Sequence, residues 1–487
     1  MRLGIFLLVL AAALAGQSFL ITNANVVDGT GAKARAASVR VEAGRITGVG
    51  GLKARVGDTV VDARGLTLAP GFIDLHNHSD RGLNDQPQAP SQVSQGITTA
   101  VMGVDGGSPF PVADWVARRK TNPPALNVGL LVGHATIRTK VMGTDYQRAA
   151  RPDEVAKMAA LVDQAMREGA LGISTGLEYE VGSYSTTEEV VALAKVVAQH
   201  GGLYMSHIRD EADKSFDALR EILRIADEAR VAVHVSHIKL GTVGVWGKSR
   251  EAVELLANAR RKGLDVTADC YPYEAWASTI TVLVPDKQYD NPASVKRGLD
   301  DVGGGQNVTV VNCREHPDYE FKNLEEIAQK EGITAVDAFI KIVKTGGASV
   351  VARSMKEDDI RTFYMTPWIS IASDGGIGMR HPRAAGTFPR VLGRYVREQG
   401  WLTLEEAVRK MTSLPAARLH LVDRGAIRTG YHADLVLFDA ARVMDQATFP
   451  EPAKLSTGIE KVWVNGELVW DGRAATGRTP GVVITRP

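Results

Sequence analysis

Cysteine is nearly absent from the sequence. Its two residues, Cys270 and Cys313, allow no disulfide framework and no cysteine-only zinc site. An excess of either charge is also missing: lysine plus arginine is 57, aspartate plus glutamate is 56, and the net charge is +1. That balance favours neither a nucleic-acid polyanion nor an anionic membrane surface as partner. Beyond the N-terminus no segment is apolar enough to span a bilayer. The N-terminal apolar run, residues 3–15, is too short to span one comfortably. It follows Met1 and Arg2 and ends in Ala13, Leu14 and Ala15 before Gly16, the pattern of a signal peptide over residues 1–15. The mature chain is thus expected to be periplasmic or secreted.

What remains is ordinary globular composition, 44% hydrophobic and 23% charged over 487 residues. That length predicts a large barrel with an added domain, or two to three domains. Short β-rich runs fill residues 16–70, with Asp28-Gly29 and Ala43-Gly44 as hairpin turns. A matching pattern returns over residues 423–487, where Asn465-Gly466 is a type I′ turn signal. The two ends are expected to build one small β-sandwich.

Between them, over residues 71–422, apolar runs alternate with helical stretches, as in βα units around a parallel sheet. Strand candidates are 72–78, 98–105, 127–134, 170–177, 202–208, 232–238, 265–273 and 368–375. Helices are expected over 151–168, 186–200, 215–230 and 250–262, with Ser185 and Glu188 as a capping box. Eight such units predict an α/β fold, a TIM-like barrel. The gap before the last strand is too long for one crossover, so an inserted subdomain over the barrel mouth is expected at about 286–362.

The strand ends carry the functional signal. His76 and His78, two residues apart on one strand, face the same side. His207 ends strand five, His237 strand six and Asp374 strand eight. A barrel gathers the C-terminal ends of its strands at one site. Four histidines and an aspartate there predict a metal centre, and imidazole with carboxylate suits zinc best. His234 is expected to face away from His237, and Cys270 to be a buried inert thiol.

This ordered set resembles the amidohydrolase superfamily. The segments PGFIDLHNHSD, GALGISTGLEY, GGLYMSHIRDE, VSHIKL, SDG and HPRAAGTFPRVLGRY resemble its N-acyl-D-amino-acid deacylase family. The resemblance spans nearly the whole mature chain. Many superfamily hydrolases bridge two metals with a strand-four lysine, which ALGISTGL lacks. The resembled family uses a cysteine ending strand two, and this sequence has Asp105 at that place. The resemblance thus implies His76, His78, Asp105, His207 and His237 as ligands of one or two zinc ions. Glu178 ranks behind Asp105 as a further carboxylate.

The chemistry implied is hydrolysis of the amide bond of an N-acyl-D-amino acid, a small-molecule substrate, with no nucleic-acid partner and no membrane in the mature form. Asp374 would take and return the proton, and Tyr179 would donate to the carbonyl oxygen. Lys239 is the family's carboxylate-binding cation. Arg380, Arg383 and His134 are further candidates for contacting substrate. An amidohydrolase acting on dipeptides, cyclic amides or peptide-like natural products is the alternative. A deaminase fits less well, because Leu240 stands where a glutamate is usual. A non-catalytic binding protein on the same scaffold would not need Asp374.

Overall fold

The computed structural model describes residues 18–486, so the signal-peptide segment lies outside the described residues. Eight parallel strands form a closed barrel. They are β1 (Phe72–Asp74), β2 (Ile97–Met102), β3 (Asn127–Leu130, continued by Val132–Gly133), β4 (Gly172–Gly176), β5 (Leu203–His207), β6 (Ala232–Val235), β7 (Val266–Cys270) and β8 (Ile369–Ile371). Each strand pairs in parallel with the next. Just past their ends, β1 and β8 meet through Asn77 and Gly375, which closes the ring. Strands so placed are covered on both faces, and all six residues of β2 are buried.

Helices Pro152–Arg167, Thr187–Gln199, Ser215–Ala229 and Ser249–Arg261 pack outside the barrel. The second starts one residue later than the capping-box pattern predicts. Thr186 is its cap, accepting from the Glu189 amide at 3.2 Å. Ser185 instead donates to the Gly182 carbonyl at 2.6 Å.

Strands from both chain ends join one eight-stranded sheet. Its path runs 467–470, 459–464, 435–438, 67–70, 19–26, 35–42 and 45–50, with 59–62 alongside 19–26. The strand Leu435–Phe438 shows why it sits where it does. Leu435 and Leu437 enter the sheet's own apolar cluster, while Val436 and Phe438 enter the barrel's. Alternation of side chains thus lets one sheet serve two cores. The far C-terminus departs from the 423–487 expectation: Val483–Ile484 pairs with β3 and extends the barrel wall.

The insertion is displaced toward the N-terminus relative to 286–362. Its three-stranded antiparallel sheet is Trp276–Thr279, Val308–Asn312 and Ser349–Ala352, and its apolar cluster runs from Ile280 to Ala352. Helix Glu357–Met365 belongs to the barrel instead, because Ile360, Phe363 and Tyr364 bury their side chains in the barrel's cluster.

Candidate metal centre and active site

His76, His78, Asp105, His207, His237 and Asp374 meet at the C-terminal mouth of the barrel. His76 Nε2 is 3.4 Å from Asp105 Oδ1 and 3.5 Å from Asp374 Oδ1. His78 Nε2 is 3.4 Å from Asp105 Oδ2 and 3.2 Å from Asp374 Oδ1. Across the site, His237 Nε2 is 3.5 Å from Asp105 Oδ1 and 3.1 Å from His207 Nδ1. Most of these separations are long for hydrogen bonds. They match the edge of a tetrahedron whose centre lies ~2.0–2.1 Å from each donor, about 3.3 Å. His76 Nε2 and Asp105 Oδ1 are buried without hydrogen-bond partners, a costly arrangement unless a cation takes both. The donors therefore fit a metal centre, with Asp105 reaching toward both histidine pairs.

A second cluster, His207, Glu211 and His237, also has ligand-like spacing. There the Lys239 ammonium already lies 2.7 Å from both Glu211 oxygens and 2.7 Å from His237 Nδ1. One cation fills that position, so Glu211 backs the centre rather than forming another.

The backbone aims these groups. Asp105, His237 and Asp374 have φ of 55°, 34° and 48°, in the left-handed region. Such residues cost roughly 1–3 kcal/mol each and persist where surrounding contacts hold them. Asp269 of β7 holds His237, accepting its amide at 2.7 Å. The Asp374 amide donates to the His76 carbonyl at 3.0 Å, and the His78 amide to the Gly375 carbonyl at 2.7 Å. Buried Asp74 accepts from the Ser373 amide at 2.9 Å, tying β8 to β1. The turn at His237 also explains a correction. His234 does not face outward; it registers with Met205 of the barrel interior and contacts Asp269 at 2.8 Å. The left-handed residue breaks the strand's alternation and brings His237 to the same side.

Above the donors lies a cavity of about 850 Å³ between the barrel mouth and the insertion. Tyr179, Lys239, Arg380 and Arg383 line it. Tyr179 packs its ring on His207 with centroids 4.4 Å apart. Burial, then the charges of Asp105, Glu211 and Asp374, push its phenol well above the usual range, so it keeps its proton. Arg383 is almost fully buried, 2.8 Å from Asp374 Oδ2, and its Nε has no hydrogen-bond partner. Burial opposes ionisation of Asp374, but Arg383 and the histidines outweigh it and hold that carboxyl well below the usual range. Arg380 is partly spent: it donates to the Val311 carbonyl at 2.8 Å and pairs with Glu320.

His134 does not line the cavity. Its ring is buried against Glu189 at 2.8 Å, and Glu189 also pairs with Arg138, so the imidazole joins two outer helices and cannot reach substrate. The Cys270 thiol donates to the Tyr271 carbonyl at 3.5 Å, and burial pushes it up. Glu178 touches His207 rather than Asp105's side of the site. Sequence reasoning missed Glu211, Asp74, Asp269 and Tyr271. Glu211 lies four residues after His207, a spacing that could have flagged it. Tyr271 carries Arg383 over its ring at 4.8 Å and Lys239 at 5.7 Å. That pairing comes from the fold alone.

Known proteins resemble this chain over most of its length. The amidohydrolase family pattern matches residues 59–470. A D-aminoacylase of Alcaligenes xylosoxydans xylosoxydans is 36% identical, covering 96% of this chain and 97% of its own. An N-acyl-D-aspartate deacylase of the same organism is 37% identical, covering 96% and 95%. The crystal structure of a D-aminoacylase superposes with TM-score 0.88 at 36% identity, over 96% of this chain and 99% of that one. The N-acyl-D-glutamate deacylase of Bordetella bronchiseptica, complexed with zinc and a phosphonate mimic of the tetrahedral intermediate, gives 0.87 at 35% identity, over 96% and 99%. The chain belongs to the amidohydrolase family, within its N-acyl-D-amino-acid deacylase group.

Proposed function

We propose that the protein is a metal-dependent hydrolase that cleaves the amide bond of N-acyl-D-amino acids, releasing a carboxylate and a free D-amino acid. The observation that carries this is the set of donors around Asp105 with a buried, partly unpartnered arginine beside it. Zinc held by His76, His78, Asp105, His207 and His237 would supply Lewis acidity and lower the pKa of water to about 7.

The chain's own groups do the rest. Asp374 stays ionised, so it can accept the proton of the attacking water and return it to the leaving nitrogen. Its two oxygens are divided: Oδ1 faces the histidines and Oδ2 faces Arg383. Tyr179 keeps its proton and can donate to the acyl oxygen as charge grows there. Arg383 and Lys239 offer two cations for the substrate carboxylate, both packed on Tyr271. Holding carboxylate, acyl carbonyl and side chain in three directions distinguishes mirror images. The preference for the D form is supported by the relatives' names.

A hydrolysis screen tests this. Zinc-loaded protein should cleave N-acyl-D-amino acids faster than their L forms and faster than dipeptides. Faster cleavage of L substrates or of dipeptides would replace the reading. Residues 1–15 support a periplasmic or secreted location. Cell fractionation with N-terminal sequencing tests it: a mature protein that starts near residue 16 supports export, and one that keeps Met1 in the cytoplasm rejects it.

A further inference from the structure

Glu178 is a half-buried carboxylate in the cavity wall for which the hydrolytic scheme has no use. Its Oε2 lies 2.7 Å from Nε2 of His207. The other ring nitrogen of His207, Nδ1, faces the metal centre, 3.1 Å from His237 Nε2. A neutral imidazole ligates through its bare nitrogen and carries its proton on the other. With Nδ1 committed to the metal, the proton sits on Nε2 and is donated to Glu178.

His237 is oriented the opposite way. Its Nε2 faces the centre, and its Nδ1 lies 3.0 Å from Glu211 Oε1. The two backing carboxylates differ in what else they touch. Both Glu211 oxygens accept from Lys239, which compensates its charge. Among the described residues, Glu178 has no lysine or arginine within ion-pair distance, and His207 is its only such contact. Glu178 is the nearer of two carboxylates at His207 Nε2, with Glu211 Oε2 3.7 Å from the same nitrogen. Tyr179, the next residue, packs on the face of the same ring. Edge and face of His207 are thus held by two consecutive residues of the loop after β4.

Direct ligation by Glu178 does not account for this. The carboxylate meets Nε2 of His207 whereas His237 meets Nδ1, so the two contacts lie on different nitrogens of the ring. We infer that Glu178 is a positioning residue that selects the Nδ1-ligating tautomer of His207 and strengthens that nitrogen as a zinc donor. A hydrogen-bonded carboxylate behind a ligating histidine typically contributes 10–100-fold in metal affinity. The inference rests on the metal-dependent reading only for the presence of the ion. The substrate does not enter, so a failed hydrolysis screen leaves the outcome readable.

The experiment compares zinc dissociation constants, measured by competition with a chromogenic chelator, for native protein, Glu178→Gln and Glu178→Ala. Glutamine keeps an oxygen for the Nε2 proton but removes the charge; alanine removes both. Zinc affinity should fall in the order native, Gln, Ala, with alanine ~10–100-fold weaker. Circular dichroism and melting of the metal-free proteins should coincide, which separates this role from general support of the fold. Equal affinities for native and alanine proteins would overturn the inference. So would a glutamine variant as weak as alanine, or a loss of affinity matched by a loss of metal-free stability.

Discussion

The metal centre has two banks, and they are held by different means. The His76–His78 bank, just past the end of β1, is fixed through the main chain. Amide-to-carbonyl bonds join it to Asp374 and Gly375, and Asp74 clamps β8 beside it. His76 has no such support from a side chain among the described residues: its Nδ1 is buried without a hydrogen-bond partner. The His207–His237 bank is fixed through side chains, each imidazole resting on a carboxylate. A ligand with a carboxylate behind it is oriented and made a stronger donor before the ion arrives. The second bank is thus built to grip an ion, and the first to place Asp374 against it.

The sharpest way to break this division is at Asp374. Asp374→Asn should lower turnover by at least ~10²-fold while the His207–His237 bank keeps its zinc. Turnover measured beside zinc content checks both halves, and a near-native rate would remove Asp374 from its catalytic role. Asp105 belongs to both banks, so Asp105→Ala should lower zinc content or affinity on both sides, and elemental analysis reads it. Asp105→Cys should keep at least one ion, since thiolate is a good zinc ligand. Unchanged zinc affinity in the alanine variant would show that Asp105 is no ligand.

A smaller effect separates the banks themselves. His207→Ala should weaken the tightest zinc more than His76→Ala does, as read by chelator competition; the reverse order would invert the comparison. The smallest effect is expected at Lys239, because Glu211 already engages its charge. Lys239→Ala should lower kcat/KM for free acids by about tenfold and leave the corresponding amides little changed. Equal losses on acids and amides would remove its carboxylate role.

The barrel and its strand-end histidines were legible because they follow local rules. Strand length, alternation and the spacing of His76 and His78 are written in consecutive residues. Asp105 was marked differently, by the resembled family's cysteine at the matching place. The unread parts depend on the fold. No spacing announces that Asp269 of β7 supports His237 just past β6, or that Tyr271 carries two cations. His134 misled because a histidine ending a strand can begin a helix; here it opens His134–Met142 and turns outward to Glu189. The insertion was placed late because its first strand, Trp276–Thr279, follows soon after the barrel's seventh strand ends at Cys270, with Ile280, Leu283 and Val284 of its core next.

The shared terminal sheet sets a timetable for synthesis. Strands 19–26, 35–42, 45–50, 59–62 and 67–70 can assemble as soon as they leave the ribosome. The strand 67–70 then waits for 435–438, and β3 waits for 483–484. At ~5–20 residues per second, the open edge of 67–70 stays bare for tens of seconds. An uncovered strand edge is a template for pairing with another chain. A copy whose C-terminal strands have not yet emerged is therefore the form most exposed to pairing with its neighbours.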